Sequence, residues 1–136
     1  MRVCLDTNVL VAAFATRGLC ADVLRTVLAE HDLVVGEVML AELRRTLAVK
    51  FKVPSSRIDA VEAVLRAVPV IPKPAKPSPV VIRDAADRRI LATAVAGTAD
   101  VLVTGDRDLL AVVAEAPMPI LSPRDFWELL RTGEVP

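Results

Sequence analysis

Short apolar runs alternate with longer segments of helical period along the whole chain, and this alternation is the strongest constraint on the fold. The runs cover residues 3–5, 33–35, 68–71, 101–103 and 120–121. Hydrophobic residues make up 54% of the chain but aromatic residues only 3%, so the core must consist mainly of Val, Leu, Ala and Ile. That mixture is typical of helices packed on a buried parallel sheet. The sequence therefore predicts an α/β fold with about five parallel strands and helices on both faces.

Seven helices are predicted around these strands, at residues 7–15, 20–30, 37–50, 55–67, 85–96, 107–114 and 123–132. The proline-rich stretch from Pro69 to Pro79 cannot be helical and is predicted to be an extended surface connection. A linker between two domains is the alternative, but neither half of the chain supplies a complete sheet. A chain of 136 residues can bury a proper core, so we expect one domain, residues 1–136.

Charge and cysteine content exclude several functional classes. Basic and acidic residues number 17 each, which argues against a protein that coats nucleic acid through a large positive field, so any such contact must be local. Cys4 and Cys20 lack the spacing of a metal site and are predicted to be free thiols, Cys4 buried. There is no apolar run of about 20 residues and no secretory signal pattern, so we expect a cytoplasmic protein without a membrane span.

Four acidic residues recur on the same side of the strand–helix alternation: Asp6, Glu42, Asp87 and Asp106. Asp6 follows the first strand and Asp106 follows the fourth. Glu42 lies at the border of the apolar stripe of the third helix, and Asp87 lies in the first turn of the fifth. Ligands of open α/β sheets bind beyond the carboxyl ends of the strands, so we expect these carboxylates to converge there.

Each acid also has an ordinary explanation. Asp6 can cap the helix that follows it, and Glu42 can pair with Arg45 on the helix surface. Asp87 can be an acid in the first turn of a helix capped by Asp84, where the helix dipole favours a negative charge. Asp106 belongs to a common turn composition. Taken singly these explanations are adequate, but they do not explain why all four acids share one rim of the sheet.

A cluster of carboxylates raises the pKa of each member and opposes folding unless a cation compensates it. Oxygen ligands without histidine or cysteine favour one or two Mg²⁺ or Mn²⁺ ions and metal-assisted phosphodiester hydrolysis. Glu37 competes with Glu42, but a helix start explains it. The supporting residues are expected to be Thr7, Asn8 and Thr104, and Asp108 is either a helix-start acid or a further ligand.

Five arginines lie within three residues of a proposed ligand and are candidates for contacts with substrate phosphates: Arg44, Arg45, Arg88, Arg89 and Arg107. Zero net charge leaves phosphate binding to such a local set. The alternative is that they belong to solvated helix faces and surface ion pairs, which contribute little.

Four segments together resemble the PIN-domain nucleases: Leu-Asp-Thr-Asn-Val-Leu at 5–10, Leu-Ala-Glu-Leu at 40–43, Asp87 ahead of Ile-Leu-Ala at 90–92, and Val-Thr-Gly-Asp-Arg-Asp at 103–108. The resemblance implies a three-layer α/β/α sandwich with a Rossmann-like parallel sheet. It also implies metal-dependent cleavage of RNA and, for small bacterial members, a VapC-like toxin of a toxin–antitoxin pair.

Carried over by position, the resemblance assigns the acidic metal ligands to Asp6, Glu42, Asp87 and Asp106, and supporting polar roles to Asn8 and Thr104. This sequence departs from the pattern in two places. Gly36 stands where relatives often carry Ser, and the alanines at 85–86 occupy a stretch that is often more acidic. The second departure leaves the number of bound ions open.

The function expected from the sequence is a Mg²⁺- or Mn²⁺-dependent endoribonuclease with an RNA substrate, a small antitoxin partner and a homodimeric state. A non-catalytic RNA-binding or scaffold protein on the same fold is the alternative, because fold alone does not establish activity. A dinucleotide-binding enzyme would need a glycine-rich turn after the first strand, and residues 6–10 contain no glycine.

Overall fold

The computed structural model describes residues 1–134, and strands and helices alternate along it as predicted. The strands are β1 (Arg2–Leu5), β2 (Asp32–Gly36), β3 (Val70–Ile71), β4 (Val101–Val103) and β5 (Ile120–Leu121). The helices are α1 (Thr7–Ala15), α2 (Leu19–Glu30), α3 (Glu37–Val49), α4 (Ser55–Leu65), α5 (Ala85–Ala96), α6 (Arg107–Leu110) and α7 (Pro123–Thr132).

The five strands form one parallel sheet in the order β3-β2-β1-β4-β5. Val3 of β1 is opposite Leu33 on one side and Val101 on the other, so β1 is the central strand. The strand order reverses there, since the chain first builds outward from β1 through β2 and later returns to place β4 on its other side. Ligands of doubly wound sheets bind at such a switch point. The predicted three-layer α/β/α sandwich is confirmed.

The core lies on both faces of β1, whose residues Val3, Cys4 and Leu5 are fully buried. Strands covered on both faces need continuous apolar runs rather than alternation, and this is why the short runs of the sequence marked the strands correctly. Cys4 and Cys20 are free thiols, and Cys4 is buried, as predicted. Burial raises the pKa of the Cys4 thiol far above its ordinary value.

The prediction of one helix over residues 107–114 is wrong. The helix α6 ends at Leu110, and a separate 3₁₀ turn covers Val113–Glu115. Val112 N–H already bonds to the Leu109 carbonyl, three residues back, so the chain tightens here instead of continuing. Further on, Pro117 disfavours a helical Ala116, which adopts an extended conformation. The predicted third strand also begins later than expected, at Val70, and the predicted helices 37–50 and 55–67 end at Val49 and Leu65.

The predicted extended connection is confirmed, since residues 72–79, which follow β3, contain no helix. These residues are called the proline segment. This segment is fastened to α5. Ser78 N–H donates to the Arg88 carbonyl at 3.0 Å, and Arg88 Nε donates back to the Ser78 carbonyl at 2.9 Å. Arg89 Nη1 donates to the Pro74 carbonyl at 2.6 Å, so the segment has a fixed course along the helix.

Within residues 1–134 no single helix is long and apolar enough to cross a membrane. The pair α1 and α2 would together be long and apolar enough, but the two helices are bent by 105° relative to each other.

Candidate metal centre

Asp6 lies where β1 ends and α1 begins, and the residue is 4% exposed. Its Oδ1 accepts the Thr7 backbone N–H at 2.6 Å, which makes Asp6 the N-cap of α1. Its Oδ2 accepts the hydroxyl of Thr104 at 2.7 Å. The capping explanation of Asp6 is therefore right, but the second oxygen faces the end of β4, where the other acids lie.

Thr104 connects Asp6 to Asp106. While its hydroxyl donates to Asp6, its Oγ1 accepts the Asp106 N–H at 2.9 Å, and Asp106 Oδ1 in turn accepts the Asp108 N–H at 2.8 Å as the N-cap of α6. Asn8 Oδ1 accepts the Gly105 N–H at 3.3 Å. The turn after β4 is thus held against α1 by Thr104 and Asn8, the two polar positions assigned a supporting role from the sequence.

Glu42 extends from α3 to the same region through Thr7. The Thr7 hydroxyl donates to Glu42 Oε2 at 3.1 Å, and Thr7 itself is 4% exposed. Glu37, the competing acid, bonds through both carboxylate oxygens to Arg66 at 2.9 Å each. Glu42 therefore turns inward from α3, whereas Glu37 is used in a surface ion pair.

Three acids, Asp87, Asp106 and Asp108, form a close group in which each offers one oxygen within 4.8 Å of the other two. Asp84 caps α5 by accepting the Ala86 N–H at 3.0 Å, which leaves Asp87 out of the cap. Asp87 is 6% exposed, and within residues 1–134 its buried Oδ2 has no hydrogen-bond partner. A buried carboxylate oxygen without a donor is costly, so this atom is available to a donor group or a cation.

The pKa values of two of these acids show how closely the carboxylates are packed. Burial raises the pKa of Asp6 to about 6, assisted by the charges of Glu42 and Asp106 and opposed by the bonds from Thr104 and Thr7. Burial also raises the pKa of Asp87 to about 8, assisted by the charges of Asp106 and Asp6. The four acids predicted from the sequence therefore lie in one electrostatic neighbourhood, which Asp108 joins through Asp87 and Asp106.

The donor set fits a hard divalent cation. It consists of carboxylate oxygens, which are the ligands of Mg²⁺ and Mn²⁺ rather than of softer metals. The unpartnered oxygen of Asp87 and the raised pKa values of Asp6 and Asp87 are the features that a bound cation would relieve.

Comparison with known proteins agrees with this geometry. The family profile described as the PIN domain matches residues 2–108. The chain belongs to the PIN-domain family. Among solved structures, a chain of VapBC2 from Rickettsia felis bound to a promoter DNA fragment resembles this PIN domain with a TM-score of 0.59 and 20% sequence identity. The match covers 89% of this chain and 97% of that chain and shows a shared fold. No curated protein sequence matches the chain.

The departure at Gly36 has a structural reason within this PIN domain. A β-carbon at position 36 would lie 2.4 Å from the Thr93 Cγ2 methyl and 3.3 Å from the Ile71 carbonyl oxygen. Thr93 is fully buried and its hydroxyl donates to the Arg89 carbonyl. The start of α3 therefore needs glycine because the side chain of α5 fills the space that a serine would need.

The five candidate arginines have different surroundings. Arg44 forms ion pairs with Asp59 and Glu62 of α4, and Arg88 is bonded to the proline segment. Both arrangements favour the structural alternative for these two residues. Arg45 and Arg107 are exposed, and Arg89 is half-buried beside the proline segment. Because Arg89, like Arg88, donates to a carbonyl of the proline segment, the residues most accessible to a substrate are Arg45 and Arg107.

Thr104→Val is expected to raise the pKa of Asp6 further above about 6, because it removes a hydrogen bond that favours the ionised carboxylate. It also leaves the Asp106 N–H without its acceptor, so the free energy of unfolding should fall by about 1–3 kcal/mol. Thr104→Ser keeps the hydroxyl and is the matched control. A carboxyl ¹³C NMR titration and urea unfolding measure both effects, and equal Asp6 pKa values in the two variants would contradict the role of Thr104.

Proposed function

We propose that this PIN domain is a metal-dependent endoribonuclease that hydrolyses phosphodiester bonds in RNA. The observation that carries the proposal is the group formed by Asp87, Asp106 and Asp108, with the unpartnered buried oxygen of Asp87. It lies beside Asp6 at the switch point of a parallel sheet, where enzymes of this architecture bind their ligands. Several neighbouring acids in such a place are costly for folding, and a metal-dependent activity explains why the chain carries them.

The residues proposed to hold Mg²⁺ or Mn²⁺ are Asp6, Glu42, Asp87 and Asp106, with Asp108 as an additional donor to one or two ions. When bound, such an ion supplies an activated water at neutral pH and stabilises charge on the leaving oxygen. The chain's own residues set the geometry: Thr104 orients Asp6 and Asp106, Thr7 orients Glu42, and Asn8 fixes the turn at Gly105. Such supporting bonds typically change metal affinity or activity by about 10- to 100-fold.

We also propose that the protein is the toxin of a toxin–antitoxin pair, acting in the cytoplasm as a homodimer with a small antitoxin partner. Support comes from the PIN fold and from the resemblance to a chain of VapBC2 over nearly the whole of both chains. Co-expression with the product of a small neighbouring reading frame tests this part. Relief of growth arrest together with co-purification of the two proteins is the expected result.

A non-catalytic RNA-binding or scaffold protein is the alternative, and a cleavage assay separates it from the enzyme. The purified protein is incubated with labelled single-stranded RNA in Mg²⁺ or Mn²⁺, in excess chelator, and after the metal is restored. We expect shorter products with metal, none with chelator, and recovery on restoring the metal. RNA that is bound but remains intact under all three conditions would support the alternative and exclude the nuclease.

A further inference from the structure

A groove of about 430 Å³ opens beside Glu42, between α3, α5 and the proline segment. Its rim carries three basic side chains, Arg45 of α3, Lys73 of the proline segment and Arg89 of α5, and its apolar surface includes Val38 and Ala41. Another groove, of about 590 Å³, is lined by His31 and Trp127 near the amino end of β1. Of these two grooves, the first includes the proposed ligand Glu42 in its lining, and the lining of the second includes none of the proposed ligands.

The first groove is more positively charged than a count of the charged residues in its lining indicates. It contains the acids Glu37 and Glu42, but Glu37 is already bonded through both oxygens to Arg66. Arg89 donates an N–H group to the Pro74 carbonyl, which carries no net charge, so the positive charge of Arg89 is retained at the rim. Arg45 and Lys73 are exposed. Three cations therefore converge on a channel that leads to Glu42.

The fixed course of the proline segment gives Lys73 its position. The reciprocal bonds between Ser78 and Arg88, and the bond from Arg89 to Pro74, hold the segment along α5. Ser78 is 5% exposed, so the segment is anchored in the protein at that point. Arg88 and Arg89 thus hold in place the segment that carries Lys73.

We propose that this groove is the approach channel for single-stranded RNA, and that Arg45 and Lys73 contact backbone phosphates next to the cleavage centre. The proposal rests on the proposed nuclease function and names the surface that delivers its substrate. Phosphates require cations, and the apolar surface at Val38 and Ala41 can pack against unstacked bases, which only a single strand presents. With zero net charge on the chain, this local group supplies the attraction.

The test uses the double variant Arg45→Gln/Lys73→Gln and a labelled single-stranded RNA of mixed sequence. Binding is measured by fluorescence anisotropy over a salt series in chelator, so that metal-dependent cleavage does not interfere. We expect weaker binding at low salt and a plot of log affinity against log salt that is flatter by about 0.7 for each phosphate that the variant no longer neutralises. An unchanged affinity and slope would overturn the proposal, as would an absence of RNA binding by the wild type.

The matched control is Arg57→Gln/Lys76→Gln, which removes the same charge from two exposed residues outside the groove lining. Lys76 lies on the same proline segment as Lys73. Equal reductions in affinity in the two double variants would show a general charge effect and overturn the groove assignment. All substituted side chains are exposed, so thermal midpoints should remain close to the wild type, and a duplex RNA probe should be much less affected than the single strand.

A parallel cleavage assay in Mg²⁺ separates failure of the groove from failure of the nuclease. Groove-dependent RNA binding without any cleavage by the wild type would refute the nuclease while retaining the RNA channel. Cleavage by the double variant with unchanged KM and kcat would refute the channel while retaining the nuclease. The combination expected here is wild-type cleavage together with a raised KM in the double variant.

Discussion

Asp106→Asn is expected to lower the rate of RNA cleavage at saturating Mg²⁺ by at least about a hundredfold while leaving the fold intact. Asp106 Oδ1 accepts the Asp108 N–H and caps α6, and the amide oxygen of Asn can keep that bond. The other carboxylate oxygen is replaced by an NH₂ group, which cannot bind a cation. Loss of residues that merely orient a ligand already costs about 10- to 100-fold, so loss of a ligand should cost more.

The matched control for Asp106→Asn is Asp84→Asn. Asp84 is likewise an N-cap, accepting the Ala86 N–H at the start of α5, but it lies outside the group formed by Asp87, Asp106 and Asp108. We expect this variant to cleave at nearly the wild-type rate. Initial rates across a Mg²⁺ series, with circular dichroism to verify folding, provide the comparison. A fully active Asp106→Asn protein would remove Asp106 from the proposed centre.

The strand–helix order could be predicted from sequence because the sheet is covered on both faces. A residue such as Cys4 has no solvent-facing side available, so each strand needs a short unbroken apolar run. Element ends were less predictable, since they depend on individual backbone bonds. The early end of α6 at Leu110 and the 3₁₀ turn that follows arise from the tight bond between Val112 and Leu109.

The convergence of the acids could be anticipated because parallel strands end at the same edge of the sheet. What could not be anticipated is which contacts each acid makes. Thr7 reaches Glu42 across 35 positions of the chain, and Thr104 reaches Asp6 across 98. Asp108 remained undecided, because a helix-start acid is explained equally well by the dipole. Only its distance to Asp87 and Asp106 groups it with them.

The basic residues illustrate the same limit. Arg44 and Arg88 were candidates for phosphate contacts because they are close to a proposed ligand in sequence, but their partners come from α4 and the proline segment. Lys73 was not among the candidates, since it is 31 residues from Glu42 in sequence and yet lines the same groove. The one available sign was a pair of lysines, Lys73 and Lys76, within a rigid proline-rich stretch that had to run over the surface.

Mg²⁺ or Mn²⁺ is expected to raise the thermal midpoint by roughly 10 °C at a hundredfold excess over Kd. A ligand that binds only the folded state at this excess stabilises it by about 2.7 kcal/mol, and about 1 kcal/mol shifts a domain of this size by a few degrees. The physical source is the set of proposed ligands, in which burial and neighbouring charges raise the pKa values of Asp6 and Asp87. A bound cation replaces repulsion with attraction.

This stabilisation should grow as pH rises from about 6 to about 8. The pKa of Asp87 is raised from the ordinary value of 3.8 to about 8 in the folded protein. Protonated Asp87 therefore stabilises the metal-free fold fully at a pH below 3.8, and this contribution is lost as the pH rises through the folded pKa. The cation must also displace that proton at the lower pH.

The double variant Asp87→Asn/Asp106→Asn should lose the rise in thermal midpoint that the metal produces. The control Asp32→Asn/Glu115→Gln removes the same charge from exposed positions outside the group formed by Asp87, Asp106 and Asp108 and should keep that rise. Calorimetry of both double variants with and without metal decides the matter, since an equal shift in the two would assign the effect to nonspecific ion binding.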